Sequence, residues 1–326
     1  MKNKIFRIIR FLTFNYYPFR FKKNSLLILM FHQVNDNKSK FYSAMPVKTF
    51  EILCEFIKKH YDVIFFSDIS TRINSKNKKP AAIITFDDGH RDIIENAFPI
   101  LSNMRLKFNV NIDTEILETL KLQDFLKVYE ILNYSQIDSY FNPKFMNEPI
   151  VINKEKPIIT EMKFTEILSN LSTEKRKEFI DDMTQITNMK DHAFSKVLSP
   201  KDLKILNKSA LVEFGSHSHT HPTLTKVSRE KLDFELSHSK KILEDIFKKK
   251  VEILAYPNGI FDETVEQAAK KAGYKYLLIT NHTINSVTKK LVDEMIFDRV
   301  IQYHHSSEVA LANTFGITKF LKKILK

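Results

Sequence analysis

The chain has 326 residues, of which 43% are hydrophobic, enough for one large globular domain or two modest ones and too many for a disordered chain. Its single cysteine, Cys54, excludes an intramolecular disulfide. The net charge of +12 is concentrated in two tails: residues 1–35 hold seven basic groups and no acid, residues 309–326 hold four lysines and no acid, and the middle is nearly neutral. A nucleic-acid enzyme more often carries its basic surface at its active site, so this distribution argues against a nucleic-acid partner.

In chain order, residues 1–24 read as a basic amphipathic segment, with Ile5, Ile8, Ile9 and Leu12 at helical spacing. Arg7 and Arg10 interrupt its apolar run, so it makes a poor signal peptide. No apolar stretch reaches the roughly 18 residues that suggest a membrane span. Short apolar runs then alternate with amphipathic ones. "SLLILMF" (25–31) predicts a buried strand, "VKTFEILCEFIKKH" (47–60) a helix, and "DVIFF" and "AAIITF" (81–86) two strands. "RDIIENAFPILSNM" follows as a helix kinked at Pro99, then "LKFNVNI" (106–112) as a strand.

Residues 113–209 break the alternation and predict an inserted helical lobe over one end of the sheet or barrel. It resumes with strands in "ALVEFGS" (210–216), "EILAYP" (252–257), "YKYLLIT" and "EMIFDRVIQY", and with helices near 228–248 and 263–272. Repeated strand–helix–strand units predict an α/β fold with parallel strands covered by helices. Residues 317–326 repeat the basic amphipathic pattern. Such ends suit an anionic membrane surface, where each cation contributes about 1 kcal/mol, or packing on the body of the protein. The expected location is cytoplasmic, peripheral at the inner membrane face.

Three strand ends carry the chemistry. In "AAIITFDDGHRD", Asp87 and Asp88 stand where a buried strand stops, and Gly89 permits a sharp turn. In parallel α/β architectures such positions line the active site. One carboxylate there could bind a cation, which would relieve the repulsion, while the other stays ionised as a base. A turn or helix cap would use the same letters. "EFGSHSHTHPTL" (213–224) places His217, His219 and His221 at alternate positions, all on one side if the segment is extended. Imidazoles suit zinc and similar metals. His217 with His221, or a different pair, could join Asp88 in a site with open positions. "LAYPNGIFDE" (254–263) is a tight strand-to-helix turn shaped by Pro257 and Gly259, whose backbone N–H groups could face a site.

Together these motifs resemble the polysaccharide deacetylase family (carbohydrate esterase family four, the NodB-homology domain). Thr85–Gly89 match its Thr-Phe-Asp-Asp-Gly motif, His217, Ser218 and His221 its histidine motif, and Tyr256–Gly259 a Tyr-Pro-x-Gly turn of one branch. "LLILMFHQV" and "AAKKAGYKYLLIT" also resemble that branch. The resemblance spans roughly residues 25–303, least in the central lobe, within a domain set at 25–316.

It implies a distorted (β/α) barrel of about seven parallel strands. It also implies hydrolytic removal of N-acetyl groups from a sugar in a polysaccharide, oligosaccharide or lipid-linked precursor, with one divalent metal, Zn2+ foremost. By motif, Asp87 is implied as general base, and Asp88, His217 and His221 as metal ligands. Tyr256 and Pro257 frame the substrate and oxyanion, and His219 is a neighbour supporting the ligands. The family's arginine before the proline turn is missing, since Leu254 and Ala255 stand there; Arg299 is the candidate to orient Asp87. The general acid is unassigned, because His304 and His305 lack the family's context. A non-catalytic carbohydrate-binding relative is the alternative.

Overall fold

The computed structural model describes residues 24–37, 39–72, 79–134, 140–144, 148–187, 196–303 and 307–314. Both basic ends, and His304 and His305, lie outside the described residues. Among the described residues, no helix is long and apolar enough to cross a membrane.

Strand β1 (Ser25–Phe31) is apolar at almost every position, as a strand covered on both faces must be. Helix α1 (Val47–His60) buries Phe50, Leu53, Cys54 and Ile57 on one stripe and ends on Lys58, Lys59 and His60, which complement the negative end of its dipole. Strand β2 (Asp62–Val63) is shorter than "DVIFF" suggests. The chain turns after it, so Phe66 enters the barrel core instead of extending the strand. Helix α2 (Ile69–Arg72) and strand β3 (Ala81–Phe86) follow. After β3, residues 93–97 form a π-helical turn that runs directly into α3 (Phe98–Met104), with Pro99 just past the wide turn closed by Phe98 N–H on Ile93 O. Strand β4 (Phe108–Ile112) comes next.

Between β4 and strand β7 (Val212–Ser216) lies the insertion, which comprises helices α4 (Glu115–Thr119), α5 (Asp124–Tyr134), α6 (Pro157–Asn170), α7 (Thr173–Thr187) and α8 (Pro200–Asn207). It also holds a small antiparallel pair that the sequence pattern did not reveal, β5 (Tyr140–Phe141) with β6 (Ile150–Val151). The regular alternation then returns with α9 (Arg229–Phe247), β8 (Ile253–Ala255), α10 (Glu263–Lys271) and β9 (Tyr276–Ile279). The Ser228 and Asp262 side chains cap α9 and α10 at their N-termini. The last described elements are β10 (Asn285–Ser286), α11 (Lys289–Glu294), β11 (Ile296–Asp298), β12 (Val300–Ile301) and α12 (Ser307–Thr314).

The main sheet runs β1–β3–β4–β7–β8–β9–β11 with parallel neighbours. "EMIFDRVIQY" is not one uninterrupted strand. Its first half, β11, pairs with β9, and its second half, β12, pairs in parallel with β1, closing the sheet into a distorted barrel. The break between the two falls at Arg299.

Side chains on a strand alternate between faces. Leu26, Ile28, Ala81, Ile83, Ile253, Ala255, Tyr276, Leu278 and Phe297 form one apolar cluster inside the barrel, and the intervening residues pack outward against the helices. Continuing that period of two to the carboxyl ends gives Met30, Thr85, Asp87, Asn111, His217 and Arg299. The same alternation that fills the barrel thus delivers its polar residues to one mouth.

Candidate active site

Asp87 leaves β3 with its N–H bonded to Phe31 O, so it is still held by the barrel. It is 1% exposed. Arg299 Nη1 lies 2.8 Å from each of its carboxylate oxygens, and Asn111 Nδ2 donates to Oδ1 at 2.8 Å. Burial pushes the Asp87 pKa up, but the Arg299 guanidinium and then His217 outweigh it, holding the carboxyl below the usual range. Arg299 is itself 1% exposed, because its side chain continues the inward-facing alternation from Phe297 and is covered at the mouth, where it meets Asp87.

Asp88 takes a left-handed backbone, with φ of +69°, and Gly89 follows at +64°. At Gly89 any side chain would be strained, and a Cβ would stand 2.4 Å from Ile116 Cδ1. This turn swings Asp88 into the same mouth as Asp87 although the two are adjacent in sequence. Tyr42 Oη donates to Asp88 Oδ2 at 2.6 Å, and the Gln123 amide holds its backbone carbonyl at 2.7 Å. Burial raises the Asp88 pKa, and His32, His221 and His217 together more than reverse it.

His217 Nδ1 lies 2.7 Å from Ala255 O, so it donates there and presents Nε2 to the site, 3.4 Å from Asp88 Oδ1. His221 Nε2 is 3.8 Å from the same oxygen. Burial, and next the neighbouring His217, push the His221 pKa down to about 3, which favours the neutral, ligating form. The donor atoms of Asp88, His217 and His221 all lie within 4.8 Å of one another. Asp88 Oδ1 is buried with no hydrogen-bond partner among the described residues. A buried carboxylate oxygen facing two imidazole nitrogens, with no proton donor assigned to it, fits a divalent metal.

The three histidines do not share a side, because the loop is not extended. Ser218 and His221 both have positive φ, +68° and +52°, so the chain curls. His219 turns away from the mouth: its Nδ1 meets Thr114 Oγ1 at 2.9 Å and its ring faces His238 and Phe234. Its side-chain contacts among the described residues are with these groups, and its link to the neighbouring ligands runs through the loop backbone.

Most N–H groups of the Tyr-Pro turn are engaged within the protein. The Tyr256 N–H is bonded to Leu278 O, and proline has none to give. Gly259 and Ile260 donate within the turn, to Tyr256 O and Pro257 O. Asn258, at φ +59°, carries the turn's remaining N–H. Tyr256 does line the cavity, and its buried hydroxyl has no partner among the described residues.

The cavity over these groups has a volume of about 220 Å³. Its outer wall comes from the insertion, through Phe125, Tyr129, Thr165, Leu168 and Arg176. Phe125 stacks on the His221 ring at 4.1 Å, and Arg176 Nη1 donates to His221 O at 3.3 Å. The inserted lobe therefore buttresses the histidine loop as well as covering the barrel.

His32 was missed by motif reading. It follows β1 directly, lines the cavity, and its Nε2 is 4.0 Å from Asp88 Oδ2. The signal available was a lone histidine at the end of a buried strand, the position that gave Asp87. Asn111 was legible in the same way, as an amide inside the apolar strand "FNVNI". Tyr42 and Gln123 had no such signal.

Residues 165–277 match the family model described as polysaccharide deacetylase, a stretch that holds His217, His221 and the Tyr-Pro turn but not Asp87, Asp88 or Arg299. A poly-beta-1,6-N-acetyl-D-glucosamine N-deacetylase of Staphylococcus aureus is 35% identical over 88 residues, 24% of this chain and 30% of that protein. The chain thus matches less than a third of that curated relative's length. Among solved structures, the Streptococcus pyogenes deacetylase PplD in complex with acetate superposes with a TM-score of 0.60 at 18% identity, covering 90% of this chain and 99% of that one. A polysaccharide deacetylase from Bacillus cereus, BC0361, gives 0.57 at 19% identity, covering 89% and 69%. At these identities the structural likeness speaks for the fold.

Proposed function

We propose that this chain, which belongs to the polysaccharide deacetylase family, is a metal-dependent hydrolase that removes N-acetyl groups from an N-acetylated sugar in a polysaccharide, oligosaccharide or lipid-linked glycan. The observation that carries the reading is one barrel mouth holding two separate devices: an ionised carboxylate clamped by a buried arginine, and a carboxylate with two imidazoles converging on a common point.

Asp88, His217 and His221 would hold the metal, with Zn2+ the ion best suited to two nitrogens and one oxygen. Such an ion, when bound, supplies Lewis-acid polarisation of an acyl oxygen and acidification of water. Asp87 accepts the proton of the attacking water, a role that requires it ionised and correctly aimed; Arg299 and Asn111 serve both needs. The Asn258 N–H is the turn's donor for negative charge developing on the acetyl oxygen, and one such donor is worth about 10²–10³ in rate.

The amine leaves only if it is protonated. Apart from the two ligands, His32 is the imidazole that lines the cavity among the described residues, and we assign it that proton delivery. The products are acetate and a free amino sugar. A second cavity, about 790 Å³, adjoins the first and shares His32, Tyr42, Tyr129 and Thr165 with it, leaving room for the rest of a glycan or its carrier.

The test is acetate release from a panel of N-acetylated oligosaccharides and lipid-linked sugars, with metal content measured beside it. Wild type should bind metal and release acetate; Asp87→Asn should keep the metal and lose turnover; His217→Ala should lose both. Metal bound with no acetate from any substrate favours a carbohydrate-binding relative.

A further inference from the structure

The inner donors account for two of the three loop histidines. The third, His219, has a ligand-like setting of its own on the opposite side of the loop. Glu118 on α4, His219 and His238 on α9 each offer one donor atom, all within 4.8 Å of one another. His238 Nε2 is 3.8 Å from Glu118 Oε1, and the two imidazole rings meet edge to face at 4.7 Å. None of the three lines the cavity over Asp88.

We propose that Glu118, His219 and His238 form a second transition-metal site, of the zinc-binding class, outside the barrel mouth. The donor set is two imidazoles and a carboxylate, the chemistry that Zn2+ takes with water completing its shell. The rings are already ordered. Thr114 Oγ1 engages His219 Nδ1 at 2.9 Å, which leaves Nε2 to an ion, as ligating histidines are commonly held by their other nitrogen. Phe234 stacks on His238 at 4.6 Å and meets His219 edge-on at 5.5 Å. The His219 backbone is fixed at both ends, its N–H donating to Glu235 Oε2 and its carbonyl accepting from Glu115 N. The nearby cation Lys231 is paired with Glu235 at 2.9 Å. His219 is buried while Glu118 is exposed, so the site opens to water on one side and needs only small side-chain movements to close on an ion.

His219 stands midway between His217 and His221. An ion at the outer site would tie the loop bearing the inner donors to α4 and α9. This predicts a stabilising site, weaker than the inner one because one of its ligands is an exposed carboxylate.

The experiment is calorimetric titration of the full metal-free chain with Zn2+, using wild type, Asp88→Asn, His238→Ala, Glu118→Gln and the Asp88→Asn/His238→Ala double variant, each checked for its helical spectrum. Wild type should take two equivalents. Asp88→Asn should keep the weaker one, and Zn2+ should raise its melting temperature. His238→Ala should keep the tighter one together with acetate release, Glu118→Gln should weaken the outer site at least tenfold, and the double variant should take none. Wild-type stoichiometry in both His238→Ala and Glu118→Gln would overturn the outer site. An unchanged Asp88→Asn titration would instead count against the inner one, so the two readings fail separately.

Discussion

Replacing Arg299 with methionine keeps much of the side chain's volume but removes the guanidinium that lies 2.8 Å from both oxygens of Asp87. Both residues are 1% exposed, so the carboxylate left behind stays in a low-dielectric mouth with the Asn111 amide to hold it. Breaking one side of a buried ion pair costs about 3–5 kcal/mol. A domain holds only about 5–15 kcal/mol in total, so Arg299→Met should fold but unfold markedly more easily. Asp87→Asn creates the converse defect, a buried guanidinium without a counter-charge. The double variant has neither charge, and should be more stable than the sum of the two losses predicts by about 2–3 kcal/mol. Urea denaturation followed by circular dichroism, with chelator present so that metal binding does not enter, measures all four corners. Acetate release should behave differently: both single variants fall steeply, and the double variant recovers nothing because its base is gone. Losses additive to within about 0.5 kcal/mol would refute a coupled pair. Undiminished turnover in Arg299→Met would refute its role in aiming Asp87.

His32→Gln should lower kcat by about 10²–10⁴ while leaving inner-site metal content unchanged, a split that acetate release and metal analysis read directly. Gly215→Ala places a Cβ 2.2 Å from Asn111 Oδ1 and 2.8 Å from Ile253 Cγ2, so it should cost about 1–3 kcal/mol and, by displacing Asn111 from Asp87, reduce kcat as well; thermal melts and kinetics test the two effects. Glu213 lies low in the barrel, accepting the Phe66 N–H, and burial lifts its pKa to about 7. The folded state therefore holds a proton that the unfolded chain releases near its ordinary value of 4.5, and stability contributed by the neutral acid is lost as pH rises toward 7. Glu213→Gln should flatten the fall of melting temperature between those two values, and an unchanged slope would contradict it.

The parts of the fold that were legible are those where one physical requirement dominates. β1 and β3 are covered on both faces, so their runs are apolar throughout and their ends are sharp. α1 shows one apolar stripe, and the amphipathic pattern of residues 47–60 coincides with the helix Val47–His60. "DVIFF" misled because Phe66 satisfies its hydrophobicity as a plug inside the barrel and not as a strand residue. The Asp-Asp-Gly stop could be read locally, since two carboxylates at the end of a buried run demand a reason. The curl of residues 217–221 could not, because it depends on Ser218 and His221 adopting left-handed backbone angles, which are uncommon for any residue but glycine. Tyr42, Gln123 and Phe125 reach the site from elements far away in sequence, and nothing in their own neighbourhoods marks them.

The division of the closing strand at Arg299 has a kinetic consequence. β3, β4 and β7 are consecutive neighbours in the sheet, with Asp87 and Asp88 following β3 and His217 and His221 following β7, whereas Arg299 arrives with the seam between β9 and β1. That seam joins residues some 270 positions apart, the sort of long-range pairing that forms slowly. On the proposed roles, maturation would have an order: the proposed donors for the ion would assemble while the barrel is still open, and Asp87 would gain its counter-cation only when the barrel shuts. A molecule stalled with that seam unzipped would capture metal yet turn nothing over, so metal content and activity would rise at different times during refolding.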